Sequence, residues 1–341
     1  MPTKPIPASS DDVVKRLLVT SRMYSEEAGM GDASVSYQYI TGYRRALVFR
    51  VTISRASDAI TFFAKVGANL SDDVRAFVKK EATMTKAVYE RFPHSSELGV
   101  VEPAYYFPDQ AVFTTKSIDG TRLDYELLAA LRWPTRRRTG RALELLEKCA
   151  SWLKAFQNSW PLDGNLEEGD LLAGIRRQLQ RLSDARPALF PPALVSMVED
   201  VTETLASTLG KDAYRPVMRH DDFAPWNIIA NDDQVIVYDF PNVQPGSMHY
   251  DRYYFDQALS TFRKKPFVNK RQLDRFRRHF ALSLDETAAN PVAEQRFFSI
   301  YFCLVRIGSL EFMRRPRFPL SILSRIRVAH EMQRLKVLCE N

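Results

Sequence analysis

Three side chains in one stretch of the chain could do chemistry together. In RHDDFAPWNIIANDDQVIVYDF, residues 219–240, Asp222 and Asn227 stand in the spacing D-x-x-x-x-N, and Asp239 closes an apolar run twelve residues later. These residue types suit the transfer of a phosphoryl group. That reaction asks for a base to orient the attacking hydroxyl and for metal ions to neutralise the phosphates. A carboxylate and an amide on one loop can face the same phosphate from two directions. A second carboxylate at a neighbouring strand end can complete a magnesium shell, because Mg2+ takes hard oxygen ligands and shares them with substrate phosphates. Asp222 is thus the candidate base, and Asn227 and Asp239 are the candidate metal ligands. Asp and Asn are also common in turns and caps, so the spacing alone decides little. The weight lies in the whole pattern: His220 two residues before the base, Phe223 after it, then Pro225-Trp226-Asn227, and finally Asp239-Phe240.

The elements that must position these groups can be read from periodicity. Residues 46–53 and 59–68 are β-branched and aromatic, with SRASD between them, which predicts a hairpin. A helical stripe follows at 73–92. Residues 141–157 put Ala142, Leu145, Leu146, Cys149, Trp152, Leu153 and Phe156 on one face, a clear amphipathic helix. Further helices are expected at 168–185, at 192–209 and after Tyr250, interrupted by a short hairpin at 227–240 that turns at Asn-Asp-Asp. Lys65 lies in the apolar strand TFFAKVGA, where an ammonium is costly without a partner. Glu81, on the helix that follows, can reach it. A strand lysine held by a helix glutamate is how a kinase fold positions the α- and β-phosphates. An edge-strand lysine facing water, with Glu81 in a surface pair, is the plainer alternative.

The segment HDDFAPWNII…VIVYDF resembles the catalytic and metal loops of the aminoglycoside phosphotransferase and choline kinase-like superfamily, whose pattern is H-G-D-x-x-x-x-N followed by an I-D-W-like element. The resemblance spans about residues 35–260. It implies an α+β, protein-kinase-like two-lobe fold, with a small β-rich N-lobe over 1–118 and a larger, mainly helical C-lobe over 119–341. It implies ATP and Mg2+, with Asp222 as base, His220 bracing its loop, and Asn227 and Asp239 on the metal. Tyr250-Asp251 matches the Y-D whose aspartate holds the catalytic loop, although a helix N-cap would explain Asp251 as well. AVFTTKSIDGTRL resembles the hinge, where the backbone of Thr115, Lys116 and Ser117 would hold the adenine edge. A glycine-rich phosphate loop is replaced by ITGYRRALVF. There, backbone amides near Gly42, or Arg44 and Arg45, would serve instead, and an ordinary strand entry explains the same residues. Two positions depart from the pattern. Asp221 stands where glycine is usual, and Phe240-Pro241-Asn242 replaces Trp-Glu or Trp-Gly.

Asp251 follows Asp239 by only twelve positions, too few for the activation segment of a peptide kinase, so the expected partner is a small hydroxyl acceptor. A sugar or sugar-like metabolite is the leading acceptor. An aminoglycoside- or choline-type amine is one alternative. Another is a degenerate kinase fold that binds through its basic C-terminal region, against which the intact set Lys65, Glu81, Asp222, Asn227 and Asp239 argues. Apolar content of 45% and charged content of 26% are those of an ordinary globular protein. The apolar run Phe297–Val305 is closed by Arg306, short of the roughly 20 residues a membrane span needs. A cytoplasmic protein without a membrane span is expected, with nucleic acid disfavoured as a partner and oligomeric state left open. The three cysteines, Cys149, Cys303 and Cys339, have no metal-ligand spacing and read as buried, reduced thiols. The net charge of +7 collects in RKK at 263–265, RFRR at 275–278 and RRPR at 314–317. Some of Arg252, Arg263, Lys264, Arg306, Arg314 and Arg315 are expected to face the acceptor, against the plainer reading of solvated helix faces.

Overall fold

A computed structural model of the protein describes residues 11–42, 45–284, 290–312 and 320–340. The chain opens with α1 (Asp11–Glu27), β1 (Ser34–Gly42), β2 (Ala46–Arg55), β3 (Asp58–Gly67), α2 (Asp72–Arg91), β4 (Leu98–Val100), β5 (Pro103–Phe107), β6 (Val112–Lys116) and β7 (Thr121–Arg122). Next come α3 (Leu123–Arg132), α4 (Arg136–Asn158), α5 (Glu168–Ala185), α6 (Pro192–Ser207), β8 (Pro216–Arg219), β9 (Ile228–Ala230) and β10 (Val235–Val237). The last are β11 (Gln244–Ser247), α7 (Tyr250–Ser260), α8 (Lys270–Ser283), α9 (Pro291–Phe312) and α10 (Leu320–Glu340).

Two compact units divide these elements. The first takes Met1–Glu126 together with Trp226–Val243, and the second takes Leu127–Pro225 together with Gln244–Asn341. In the first unit the five-stranded antiparallel sheet has the order β1-β2-β3-β6-β5. Alternation along β2 sends Leu47, Phe49, Val51 and Ile53 to one face, where they pack with Val13 and Leu17 of α1. Arg16 fixes that helix, donating to Gly67 O and Gln110 O, both at 2.7 Å. The hairpin segment joins this unit because β10 pairs in parallel with β4, Ile236 opposite Gly99.

The second unit is helical. The stripe read along α4 is buried as expected, and Trp152 stacks on Phe156 at 5.1 Å and on Phe223 at 5.4 Å. Each such side chain contributes about 1.5–3 kcal/mol on burial, so the loop that carries Phe223 is anchored by its own core residue. A separate core gathers α5, α6, α7, α9 and α10, and includes Cys303 and Cys339. All three cysteines are free and buried. Among the described residues no helix is long and apolar enough to cross a membrane.

Candidate active site

Lys65 sits opposite Phe113 of β6 and Val48 of β2, in the interior of the first unit's sheet. Glu81 belongs to the buried face of α2, beside Val74, Val78, Ala82 and Thr85. A carboxylate on that face must be paired, and it is. Lys65 Nζ donates to Glu81 Oε1 at 2.5 Å and Oε2 at 2.6 Å. The same ammonium donates to Asp239 Oδ1 at 2.9 Å, joining residues 174 apart in sequence. Burial alone would lower the Lys65 pKa, but the carboxylates of Glu81 and Asp239 more than offset it and hold the lysine charged. Burial pushes the Glu81 carboxyl up to about 7; Lys65 restrains that rise and Asp239 adds to it.

Asn227 and Asp239 come together through hairpin register. Val237 lies opposite Ile228, so Asn227 and Tyr238 are the next residues outward, and Tyr238 N donates to Asn227 O at 3.1 Å. Asp239 follows at once, in the left-handed backbone region with φ +73°. The turn at the far end is closed by Asn231, whose side chain accepts from the N–H groups of Asp233 at 3.0 Å and Gln234 at 2.8 Å. Gly120 lets the segment before β7 pass close to this hairpin: at φ +150°, a Cβ there would lie 2.6 Å from Ala230 O. The donor set of one amide and one carboxylate suits a hard cation that takes its remaining oxygens from phosphates and water. Among the described residues no cluster of three His, Cys, Asp or Glu could hold a metal by itself.

In the second unit, His220, Asp221 and Asp222 follow β8. Asp251, wholly buried at the start of α7, accepts from His220 N at 2.7 Å and Asp221 N at 3.0 Å. It therefore clamps the loop backbone, as the resemblance implies, and is not a mere cap. Burial pushes its carboxyl up to about 7, against the pull of the His220 N–H toward the ionised form. His220 is buried, and its Nδ1 accepts from Asp222 N at 3.3 Å. Its ring lies 6.4 Å from Trp152 and 6.1 Å from Phe223. His220 thus shapes the loop from within.

Asp221 has φ +69°, the conformation that makes glycine usual at such a position. Its side chain is put to use. Arg219 Nη2 lies 3.1 Å from Asp221 Oδ1, and Gln244 Nε2 donates to Oδ2 at 2.7 Å. The Arg219 guanidinium also rests 4.0 Å above the Tyr250 ring. Gly246 of β11 leaves the room for it, since a Cβ there would come within 2.4 Å of Arg219 Nε. Asp222 Oδ1 accepts from Tyr254 Oη at 2.6 Å. Burial, and next the Asp222 carboxylate, hold the Tyr254 hydroxyl well above its ordinary pKa, so it remains a donor.

Sequence reasoning missed the Tyr254 contact. The signal was present: Tyr254 is three residues after Asp251, on the same helix face, so it faces the same loop. In the segment expected to act as the hinge, the N–H of Lys116 donates to Glu102 O at 2.9 Å and that of Ser117 to Thr61 O at 3.2 Å. Thr115 lies in the ladder, opposite Phe63 and Pro103. The Lys116 ammonium pairs with Glu102 at 2.6 Å, and Lys116 and Ser117 line a cavity of about 370 Å³ in the first unit. Gly42 ends β1 opposite Leu47. Arg44 lies outside the described residues, as do Arg314 and Arg315. The basic residues named for the acceptor have other partners. Lys264 and Arg306 both meet the buried Glu331 at 3.0 Å, and Arg263 pairs with Asp274. Arg252 lies 5.3 Å from the Tyr253 ring.

No curated protein matches this sequence. Residues 119–276 match the phosphotransferase enzyme family. Among solved structures, the chain is similar to the ADP-bound aminoglycoside phosphotransferase APH(2'')-Ib, with 16% identity, 94% of this chain and 99% of that chain covered, and a TM-score of 0.61. A choline/ethanolamine kinase family protein from Mesorhizobium loti is 15% identical, with 96% and 95% covered and a TM-score of 0.56. The amicoumacin kinase hAmiN, in complex with AMP-PNP, Ca2+ and Ami, is 12% identical, with 94% and 95% covered and a TM-score of 0.56. At these identities the likeness gives the fold, which is the expected α+β, kinase-like one. Family match and fold together support a small-molecule phosphotransferase.

Proposed function

We propose that the chain is an ATP- and magnesium-dependent kinase that phosphorylates a hydroxyl of a sugar or sugar-like metabolite. The observation that carries this reading is the Lys65 ammonium shared between Glu81 and Asp239. A structural ion pair needs one carboxylate; a phosphate-positioning lysine needs a brace and a neighbour on the metal. In this reading Lys65 meets the α- and β-phosphates. The adenine edge meets the hinge backbone beyond Ser117, whose own N–H is already bonded. Backbone amides near Gly42 cover the phosphates. Asn227 and Asp239 would hold Mg2+, which supplies charge neutralisation at the phosphates.

Asp222 takes the proton as the acceptor oxygen bonds to the γ-phosphorus and the bond from that phosphorus to the β,γ-bridging oxygen breaks. ADP leaves with the bridging oxygen's electron pair. Asp251 and His220 hold the loop so that Asp222 stays aimed, and Tyr254 steadies its carboxylate. A neutral acceptor is favoured over a polycation by the local charge. Asp221, one residue before the base, is balanced by Arg219, so it adds little net negative charge there. The mixed set of guanidinium, amide, carboxylate and phenol is also the kind that meets a polyol by hydrogen bonds.

The test is nucleotide binding by calorimetry, with and without Mg2+. Wild type should bind the non-hydrolysable ATP analogue only when Mg2+ is present, and Asp239→Ala should lose that dependence. Metal-independent binding of equal strength in both proteins would remove the assignment. A thermal-shift panel of sugars, amino alcohols and aminoglycosides, run with that analogue, then ranks the acceptors.

A further inference from the structure

The basic clusters of this chain are not absorbed by phosphate chemistry. In the second unit the N-terminal ends of α4 and α8 lie side by side. Asn269 N donates to Leu131 O at 3.1 Å, and Gln272 Nε2 donates to Thr139 Oγ1 at 3.3 Å. The two stretches joined there, 127–143 and 257–273, contain no Asp or Glu. Arg136, Arg137 and Arg138 open α4, Lys270 and Arg271 open α8, and Lys265 precedes them; all six are exposed. Two large apolar side chains stand among them in solvent, Trp133 at 67% exposure and Phe267 at 89%.

This arrangement costs the fold something. Phe267 has φ +60°, a conformation that an L side chain resists. Neither α4 nor α8 has an acidic residue in its first turn. Both begin instead with cations, at the end where the helix dipole already repels positive charge. A partner that is both anionic and apolar would offset a cost of this kind.

We propose that this face docks on the surface of an anionic phospholipid bilayer. Trp133 and Phe267 enter the boundary between headgroups and acyl chains, and the six cations meet lipid phosphates. Aromatic rings interleaved with Lys and Arg make an interfacial anchor, and each cation near the surface adds to the attraction. Single-stranded nucleic acid also takes rings and cations, but it is held along a groove. Here the rings stand at loop tips beside Pro134 and Pro266, exposed far beyond what a groove wall allows. An anchor of this type needs no membrane-spanning helix.

The experiment is sedimentation of the full chain with vesicles of phosphatidylcholine alone or of phosphatidylcholine mixed equally with phosphatidylglycerol, at low and physiological salt. Binding to the mixed vesicles, weakened by salt and absent on phosphatidylcholine, is expected. Arg137→Ala with Lys270→Ala should lower the partition coefficient about 25-fold, fivefold for each cation. Trp133→Ala with Phe267→Ala should lower it at least about tenfold and abolish a vesicle-induced blue shift of tryptophan emission. All four side chains are exposed, so the variants should melt as wild type does, and a matching circular dichroism melt is the control. The proposal fails if the wild type shows no preference for anionic vesicles at low salt. It also fails if both double variants bind vesicles like wild type, or if the chain binds a single-stranded oligonucleotide but not vesicles.

Discussion

Replacing Lys65 by methionine keeps the length and apolar stem of the side chain and removes one charge. What remains is Glu81, only 4% exposed, beside Asp239, with no ammonium between them. Breaking a buried pair by deleting one partner costs about 3–5 kcal/mol, because the other charge is stranded. The cost depends on pH in a direction that can be worked out. Glu81 already titrates at about 7 when folded, against an ordinary value of about 4.3. For a carboxyl raised on folding, stability is fully present below the unfolded value and is lost as pH rises through the folded one. Without Lys65 the restraint on Glu81 is gone, so its folded pKa moves higher and the window of loss extends further up. Lys65→Met should therefore be mildly destabilised near about pH 5, where Glu81 is neutral, and fully destabilised near about pH 8. At the higher pH the loss corresponds to roughly 6–20 °C in melting temperature at 2–4 °C per kcal/mol. Differential scanning fluorimetry at the two pH values reads this directly. Adding Glu81→Gln to the variant should restore most of the loss at high pH, since the stranded charge is then absent. Equal destabilisation at both pH values, or no rescue by Glu81→Gln, would refute the account of a buried, shared ammonium.

Asp222→Asn should lower kcat by a factor on the order of 10²–10⁴ while calorimetric nucleotide affinity changes little. Loss of nucleotide binding along with an altered melt would make Asp222 structural instead. Tyr254→Phe removes a hydrogen bond to a charged acceptor, worth about 1.5–3 kcal/mol. The acid limb of the pH–turnover profile should then move up by about one unit or more, because the lost bond favoured the carboxylate; an unmoved limb would deny Tyr254 its positioning role. Asp221→Gly relieves a left-handed aspartate but leaves Arg219 without its carboxylate. A net destabilisation of about 1–3 kcal/mol in chemical denaturation is expected, and a stabilised variant would show that the ion pair contributes little.

Much of this was written in local sequence. The β2–β3 hairpin follows from alternation on either side of SRASD, and the α4 stripe from apolar steps of three and four. Lys65 and Glu81 could be paired in advance because an ammonium in an apolar strand needs a partner and Glu81 lies within reach, although only the HDDFAPWN motif elsewhere in the chain favoured that pairing over a lysine facing water. What the sequence could not display was pairing at a distance between very short elements. β4 and β10 have three residues each, too few to carry a period, and their parallel register depends on hydrogen bonds between segments far apart in the chain. The second partner of Lys65 was hidden for the same reason: Asp239 could be read as a metal ligand but not as a neighbour of β3. Charge direction was hidden too. Lys264 and Arg306 looked available for an acceptor until α10 returned Glu331 to them.

The aspartate at position 221 shows how such a departure from a family pattern can be absorbed. A glycine there would satisfy the backbone and nothing else. Aspartate accepts the strain and gains three neighbours that must all be present. Arg219 neutralises it, Gln244 donates to it, and Gly246 leaves space for the guanidinium that lies on Tyr250. Tyr250 stacks in turn with Tyr254 at 6.2 Å, and Tyr254 donates to Asp222. The exchange of one glycine thus reaches the proposed base through four side chains of one unit. On the proposed reading Arg219 cancels the charge of Asp221, so the loop carries one net negative charge, that of Asp222, instead of two. A polycationic acceptor would gain most from two, and a hydroxyl-rich neutral one loses nothing with one. On that reading, the departure from the pattern therefore bears on which acceptor is chosen, and it leaves the proposed phosphoryl-transfer residues themselves unchanged.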